Sequence, residues 1–183
     1  MEERLQEAIS ETVQQIEVAD RLTDFEQKRA GIAAALEALA NHTDLFSAVD
    51  FPRPTEDGTG RRYVLHERAD GRLPLYLSIL KGPIETPIHD HKVWAGVASI
   101  SGLSTNRIYA PVAEAAPVET QIVPVDTGES LVTEPAAIHS VSVEPGHVCV
   151  NLLTYAVALD RIAGTGPEAY DPESGDKSAY WGG

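Results

Sequence analysis

Residues 87–102 read PIHDHKVWAGVASISG and place two histidines, His89 and His91, on either side of Asp90 at the start of an apolar run. In a strand, residues i and i+2 point to the same face. Both imidazoles therefore aim one way and Asp90 the other. Imidazole is the commonest side-chain ligand for first-row divalent metals, so two rings on one face form half of a metal site. The run behind them, VWAGVASI, is short and β-prone.

The same texture continues on both sides. RYVLHE, PLYLSIL, TNRIYAPV, TQIVPV, SLVT, IHSVSV and HVCVNLLTYAVAL are β-prone runs separated by the turn signals ADGR, KGP, SG, VDTGE and EPG. Short strands with turns between them predict an all-β sandwich or barrel of about eight or more strands rather than βαβ units. Ahead of them, residues 2 to about 41 predict helix. Leu5, Ala8, Ile9, Val13 and Ile16 recur at helical spacing, as do Phe25, Ile32, Leu36 and Leu39, and Asp24 is placed to cap the second segment. DFPRPTEDGTG, rich in Pro and Gly, ends the helical pattern. The tail, GTGPEAYDPESGDKSAYWGG, has little periodicity and reads as a loop wrapping the body. The expected organisation is one domain over 1–183, with a helical segment over 1–49, a β-barrel over 61–160 and a C-terminal tail over 161–183.

The formal net charge of −14 disfavours nucleic acid and anionic membrane faces as partners. Cys149 is the one cysteine, so no intramolecular disulfide forms, which fits a reducing compartment. MEERLQEAIS lacks the apolar core of a signal peptide. No apolar run reaches the roughly 20 residues that span a bilayer. The expectation is a soluble cytoplasmic protein acting on small molecules or protein partners, with no nucleic acid and no membrane.

A third metal ligand must come from another strand. His42, His66, His139 and His147 are the candidates. His139 is best placed, because the residues after it alternate between apolar and Ser as in a half-buried strand. His147 follows the turn EPG at a strand entrance, His42 lies at a helix end, and His66 sits near a turn. Structural zinc usually takes four protein ligands, often Cys. Three histidines with open positions instead suggest a catalytic metal.

PIHDHKVWAGVASISG resembles the first metal motif of the cupins, which are double-stranded β-helix (jelly-roll) barrels, here expected with an N-terminal helical segment. More narrowly it resembles the bacterial thiol dioxygenases, the cysteine dioxygenase and 3-mercaptopropionate dioxygenase group. Where the general cupin pattern carries a metal-binding Glu, this chain has Ala95 and Gly96, and loss of that Glu is what the thiol dioxygenases show. RRYVLHERADGRLPLYLSILKGP has that family's strand, turn and strand before the motif, and AYDPESG resembles the closing segment of the mercaptopropionate type.

The resemblance implies that His89, His91 and His139 bind Fe(II), with Ni, Mn or Zn as other metals such a site accepts. It implies that Arg62 pairs with a substrate carboxylate, for which its planar fork is suited, and that Tyr155 is the active-site tyrosine. The family's Ser-x-His-x-Tyr run corresponds to NLLTY here, so Asn151 and Leu153 stand on the substrate side where Ser and His stand in the family. Leu153 cannot relay a proton. Gly96 stands where the mammalian-type enzymes carry a Cys cross-linked to the Tyr, so no such cross-link forms. Cys149 reads as a buried apolar residue, and Trp94 as either a pocket wall or core packing. The implied activity adds O2 to the sulfur of a small thiol to give a sulfinate. The alternatives are a cupin metalloenzyme of other chemistry (a non-thiol dioxygenase, lyase or isomerase) and a small-molecule-binding cupin. The expected partners are a small substrate and O2. The N-terminal helices either cover the barrel or pair with a second copy as a homodimer.

Overall fold

Two helices, α1 (Glu2–Asp20) and α2 (Phe25–Ala40), open the computed structural model, which describes residues 2–162, 164 and 166–180. The Asp24 carboxylate accepts from the Gln27 backbone N–H at 2.9 Å and caps α2. It satisfies one of the amides that a helix start leaves without a partner. Asn41, not His42, closes α2, and a short 3-10 turn over Thr43–Leu45 follows.

The strands are β1 (Thr59–His66), β2 (Leu75–Lys81), β3 (Ile84–Glu85), β4 (Ile88–His89), β5 (Ala95–Ser101), β6 (Ser104–Val112), β7 (Ala115–Val125), β8 (Ser130–Thr133), β9 (Ile138–Val143) and β10 (Val148–Tyr155). After them come α3 (Leu159–Ile162), β11 (Glu168–Tyr170) and β12 (Lys177–Ala179). One sheet has the order β1-β2-β10-β5-β8, and the other β12-β11-β4-β9-β6-β7 with β3 also on β9. All pairs between named strands are antiparallel.

The pairing is nested. β2 pairs with β10, β3 and β4 with β9, β5 with β8, and β6 with β7. The outermost strands meet each other and the innermost form a hairpin, as in one long hairpin wound into a barrel. This is the double-stranded β-helix, the jelly roll of the cupins.

Alternation along the first sheet separates two environments. Leu75, Leu77 and Ile79 of β2, Ala98 and Ile100 of β5, and Val150 and Leu152 of β10 share one apolar cluster with Ile32, Leu36 and Leu39 of α2 and Ile9, Val13 and Ile16 of α1. Burying each such large side chain contributes about 1.5–3 kcal/mol. Gly96 lets α2 approach β5, since a Cβ there would stand 3.0 Å from a Leu36 methyl and 3.3 Å from one of Ile32. The intervening residues of the same strands, Ser78, Leu80, Val97, Asn151, Leu153 and Tyr155, face a cavity inside the barrel.

Two expectations from sequence change. HVCVNLLTYAVAL leaves strand geometry after Tyr155 and continues into α3. The tail is not a loop, because β11 pairs with β4 and β12, extending the sheet that carries His89. Residues 163, 165 and 181–183 of that tail lie outside the described residues. Among the described residues, no helix is long and apolar enough to cross a membrane.

Candidate metal centre

His89 ends β4, His91 follows it in the loop, and His139 on β9 is the direct cross-strand partner of His89. Their three Nε2 atoms converge. His89 to His91 is 3.3 Å, His139 to His89 is 3.1 Å, and His139 to His91 is 3.2 Å. An ion about 2.0–2.1 Å from each nitrogen would need separations of roughly 2.9–3.4 Å, between right-angled and tetrahedral geometry. The observed triangle falls inside that range.

The protonation pattern also fits a cation. His89 Nδ1 lies 2.8 Å from the Pro87 carbonyl oxygen. A carbonyl only accepts, so Nδ1 carries the proton and Nε2 keeps its lone pair. Burial lowers the pKa of all three rings: His91 is pushed down to about 3 by burial and by the neighbouring His89, and His139 goes well below its ordinary value. Three neutral imidazoles with converging nitrogens are a ready donor set. Among the described residues, this is the one group of three or more His, Cys, Asp or Glu side chains placed to hold a metal ion. His42, His66 and His147 are not part of it.

Asp90, on the opposite side of the H-D-H segment, is buried and holds that segment in place. Its carboxylate accepts from the Tyr170 hydroxyl at 2.7 Å, from Lys92 Nζ at 2.8 Å and from the Glu168 backbone N–H at 3.1 Å. Its own N–H donates to the Glu168 carbonyl. Glu168 also accepts from Lys92 and Lys177, so the β11–β12 hairpin clamps the ligand segment from outside. Burial and the bond to Asp90 keep the Tyr170 phenol protonated well above its ordinary range. Supports of this kind orient metal ligands.

The three rings line a cavity of about 410 Å³. Arg62, Asn151, Leu153 and Tyr155 line it too. The Tyr155 ring stands edge-on to His91 with centroids 5.3 Å apart. Burial pushes its phenol up to about 12, against the opposing pull of the nearby Arg62 guanidinium. Arg62 shares a cross-strand row with Ser78 and Asn151.

Trp94 is the exception. It is 4% exposed, sits in the apolar cluster between helices and sheet, and donates its indole N–H to Asp20 at 2.9 Å. Ala95 beside it faces the cavity, so alternation turns Trp94 outward, and it does not line a substrate pocket.

Tyr180, Ser104 and Asn106 are among the lining residues that escaped the sequence reading. Tyr180 stacks on His89 with centroids 4.0 Å apart and planes 30° apart, carried there by the strand the tail forms. Ser104 and Asn106 lie on the inner face of β6. Their i, i+2 spacing shows that they share a face; no local signal shows that this face is the interior.

No protein-family model and no curated protein matches the chain. Among solved structures, it is similar to an uncharacterized conserved protein with a double-stranded beta-helix domain from Klebsiella pneumoniae (13% identity over 77% of this chain and 94% of that one, TM-score 0.47). It is similar to the DMSP lyase DddQ from Ruegeria pomeroyi DSS-3 (14% identity, 70% of this chain and 57% of that one, TM-score 0.47). It is also similar to oxalate decarboxylase from Bacillus subtilis (19% identity, 58% of this chain and 26% of that one, TM-score 0.44). At these identities and TM-scores the fold assignment stands on the nested strand pairing, and no chemistry passes from these proteins to this chain.

Proposed function

We propose that the protein is a metal-dependent cupin enzyme, and specifically a non-haem iron dioxygenase that converts a small thiol to its sulfinate, RSH + O2 → RSO2H. The observation that carries this reading is the convergence of three buried, neutral imidazole nitrogens with no carboxylate among them. Fe(II) held by His89, His91 and His139 would supply the redox chemistry toward O2. The protein's own residues supply the rest. Burial keeps the imidazoles unprotonated, and the β11–β12 clamp on Asp90 keeps two of them oriented. Arg62 binds the substrate carboxylate with its planar fork. Tyr155, held protonated, donates a hydrogen bond at the reacting end. Val97, Leu131, Val141 and Leu153 exclude water from the middle of the cavity.

Leu153 supports a second reading, a cupin metalloenzyme of non-thiol chemistry, because no proton-relaying group stands beside Tyr155 on β10. O2 consumption by Fe(II)-loaded protein separates the two, with 3-mercaptopropionate, cysteine, cysteamine and thiol-free diketones as substrates. The expected result is uptake that requires a thiol and disappears in His89→Ala. Stoichiometric iron without thiol-dependent uptake would leave the second reading standing and remove the first.

A further inference from the structure

From the middle of the cavity to its end away from the histidines lie polar groups that the proposed chemistry does not use. Ser104 Oγ, Asn106 Nδ2 and Asn151 Oδ1 are buried and have no hydrogen-bond partner among the described residues. The three side chains are 1%, 2% and 3% exposed, and all line the cavity. An unpaired buried polar atom is costly, so native proteins keep few of them without a use.

Register gives their depth. Ile108 pairs with His139, and Asn106 with Val141. Asn106 is therefore two residues, about 7 Å, along the barrel from the metal row, and Ser104 four residues, about 13 Å. On the facing sheet Asn151 is likewise four residues, about 13 Å, from Tyr155. Around Asn106, at the level two residues from the metal row, the wall carries the apolar side chains Val97, Leu131, Val141 and Leu153. Arg61 and Arg62 also line the cavity and are exposed; the Arg62 backbone lies in the row of Ser78 and Asn151, and its guanidinium acts on Tyr155 and Tyr180 at the metal end. A cavity of about 410 Å³ falls in the range that encloses drug-sized ligands, well above the needs of a three-carbon thiol acid.

We propose that Ser104, Asn106 and Asn151 form a tail subsite, so that the substrate is elongated, with a metal-binding head, an apolar stem and an uncharged terminal group that both donates and accepts hydrogen bonds. Asn106 Nδ2 offers a donor, Asn151 Oδ1 an acceptor and Ser104 either role. A carboxamide or a hydroxyl offers both a donor and an acceptor, the two roles these atoms call for. A carboxylate has no proton for Asn151 Oδ1, and an ammonium has no lone pair for Asn106 Nδ2. The head rests on the proposed function; the tail subsite does not depend on which reaction occurs.

Calorimetric titration of the full chain tests this without turnover. The probes are 6-mercaptohexanamide, 6-mercaptohexanoate and 6-mercaptohexylamine with Zn(II)-loaded protein, and thiol-free hexanamide and hexanoate with metal-free protein. The amide is expected to bind about 10-fold or more tightly than its charged counterparts, a typical effect of one satisfied against one stranded buried group. The thiol-free pair is expected to keep that order even if no thiol is ever oxidised. Asn106→Leu is expected to erase the preference while holding or raising Tm, because it removes an unpaired polar group. Ser104→Ala is the second variant, with a smaller loss of preference. Equal affinities for the three tails, or a preference unchanged in both variants, would overturn the proposal. So would a lowered Tm in both, which would show these side chains bonded to internal water as part of the fold.

Discussion

On β10, Val150, Leu152 and Thr154 turn toward the helices, while Asn151, Leu153 and Tyr155 turn into the cavity. β2 divides in the same way, with Leu75, Leu77 and Ile79 on one side and Ser78 and Leu80 on the other. On the helix side polar groups are bonded: Thr154 donates to the Pro74 carbonyl at 2.8 Å, and Trp94 donates to Asp20. On the cavity side three polar atoms and the His139 Nδ1 have no partner among the described residues. The apolar core that holds the protein together thus lies outside the barrel, between sheet and helices. The barrel interior is released from that task and holds the candidate metal site. Substitutions one residue apart on a single strand should therefore affect different properties.

The sharpest separation is expected at His139. His139→Ala removes one of three candidate ligands and should lower divalent-ion affinity by about 100-fold or more, beyond the range seen for outer supports. The urea midpoint of the metal-free protein should not fall, since the ring's Nδ1 has no bond to lose. Metal retained with a lowered midpoint would move His139 to the structural side of the comparison.

Leu152→Ala is the mirror experiment. It opens a hole in the helix–sheet core and should cost about 2–5 kcal/mol in urea unfolding, with metal stoichiometry unchanged. Equal metal loss in the stable fraction would show that the two faces are coupled.

The third test is pH. All three histidines of the candidate site have folded-state pKa values below the ordinary 6.5, with His91 down to about 3. Below 6.5 the unfolded chain takes up protons that the folded triad refuses, so their contribution is present above that pH and is lost as pH falls toward about 3. Each ring contributes a slope of up to about 1.4 kcal/mol per pH unit. Urea unfolding of metal-free protein at pH 7, 6, 5 and 4 should show the decline, with a shallower slope in His139→Ala. A flat profile from pH 7 to 5 would contradict the buried, neutral triad.

Trp94→Phe should have the smallest effect, about 1–2 kcal/mol from losing the bond to Asp20, with metal and ligand binding unaffected. Altered ligand affinity would return Trp94 to the cavity side.

Much of this architecture was legible in the residues. The helical spacing of Ile9, Val13 and Ile16, the Asp24 cap and most of the strand runs are local signals. His139 stood in an alternating run; His89 and His91 do converge, but His91 lies in the loop past β4, so the loop and not the strand pleat aims its ring. Trp94 was ambiguous because a slip of one residue at the start of β5 exchanges the two faces. β11 and β12 are three residues each, too short for periodicity to register, and they form because β4 offers an edge to pair with. Tyr180 reaches His89 only through that pairing.

By itself the sequence determined most of the element types and the lack of an intramolecular disulfide, since these follow from backbone periodicity and covalent chemistry. The tertiary structure decided which side of each strand is the interior, brought His139 to 3.1 Å from His89, and left Ser104, Asn106 and Asn151 without partners deep in the barrel. Those outcomes depend on which distant strands pair. A period of two offers each strand two equivalent faces, and only packing against the rest of the chain chooses between them.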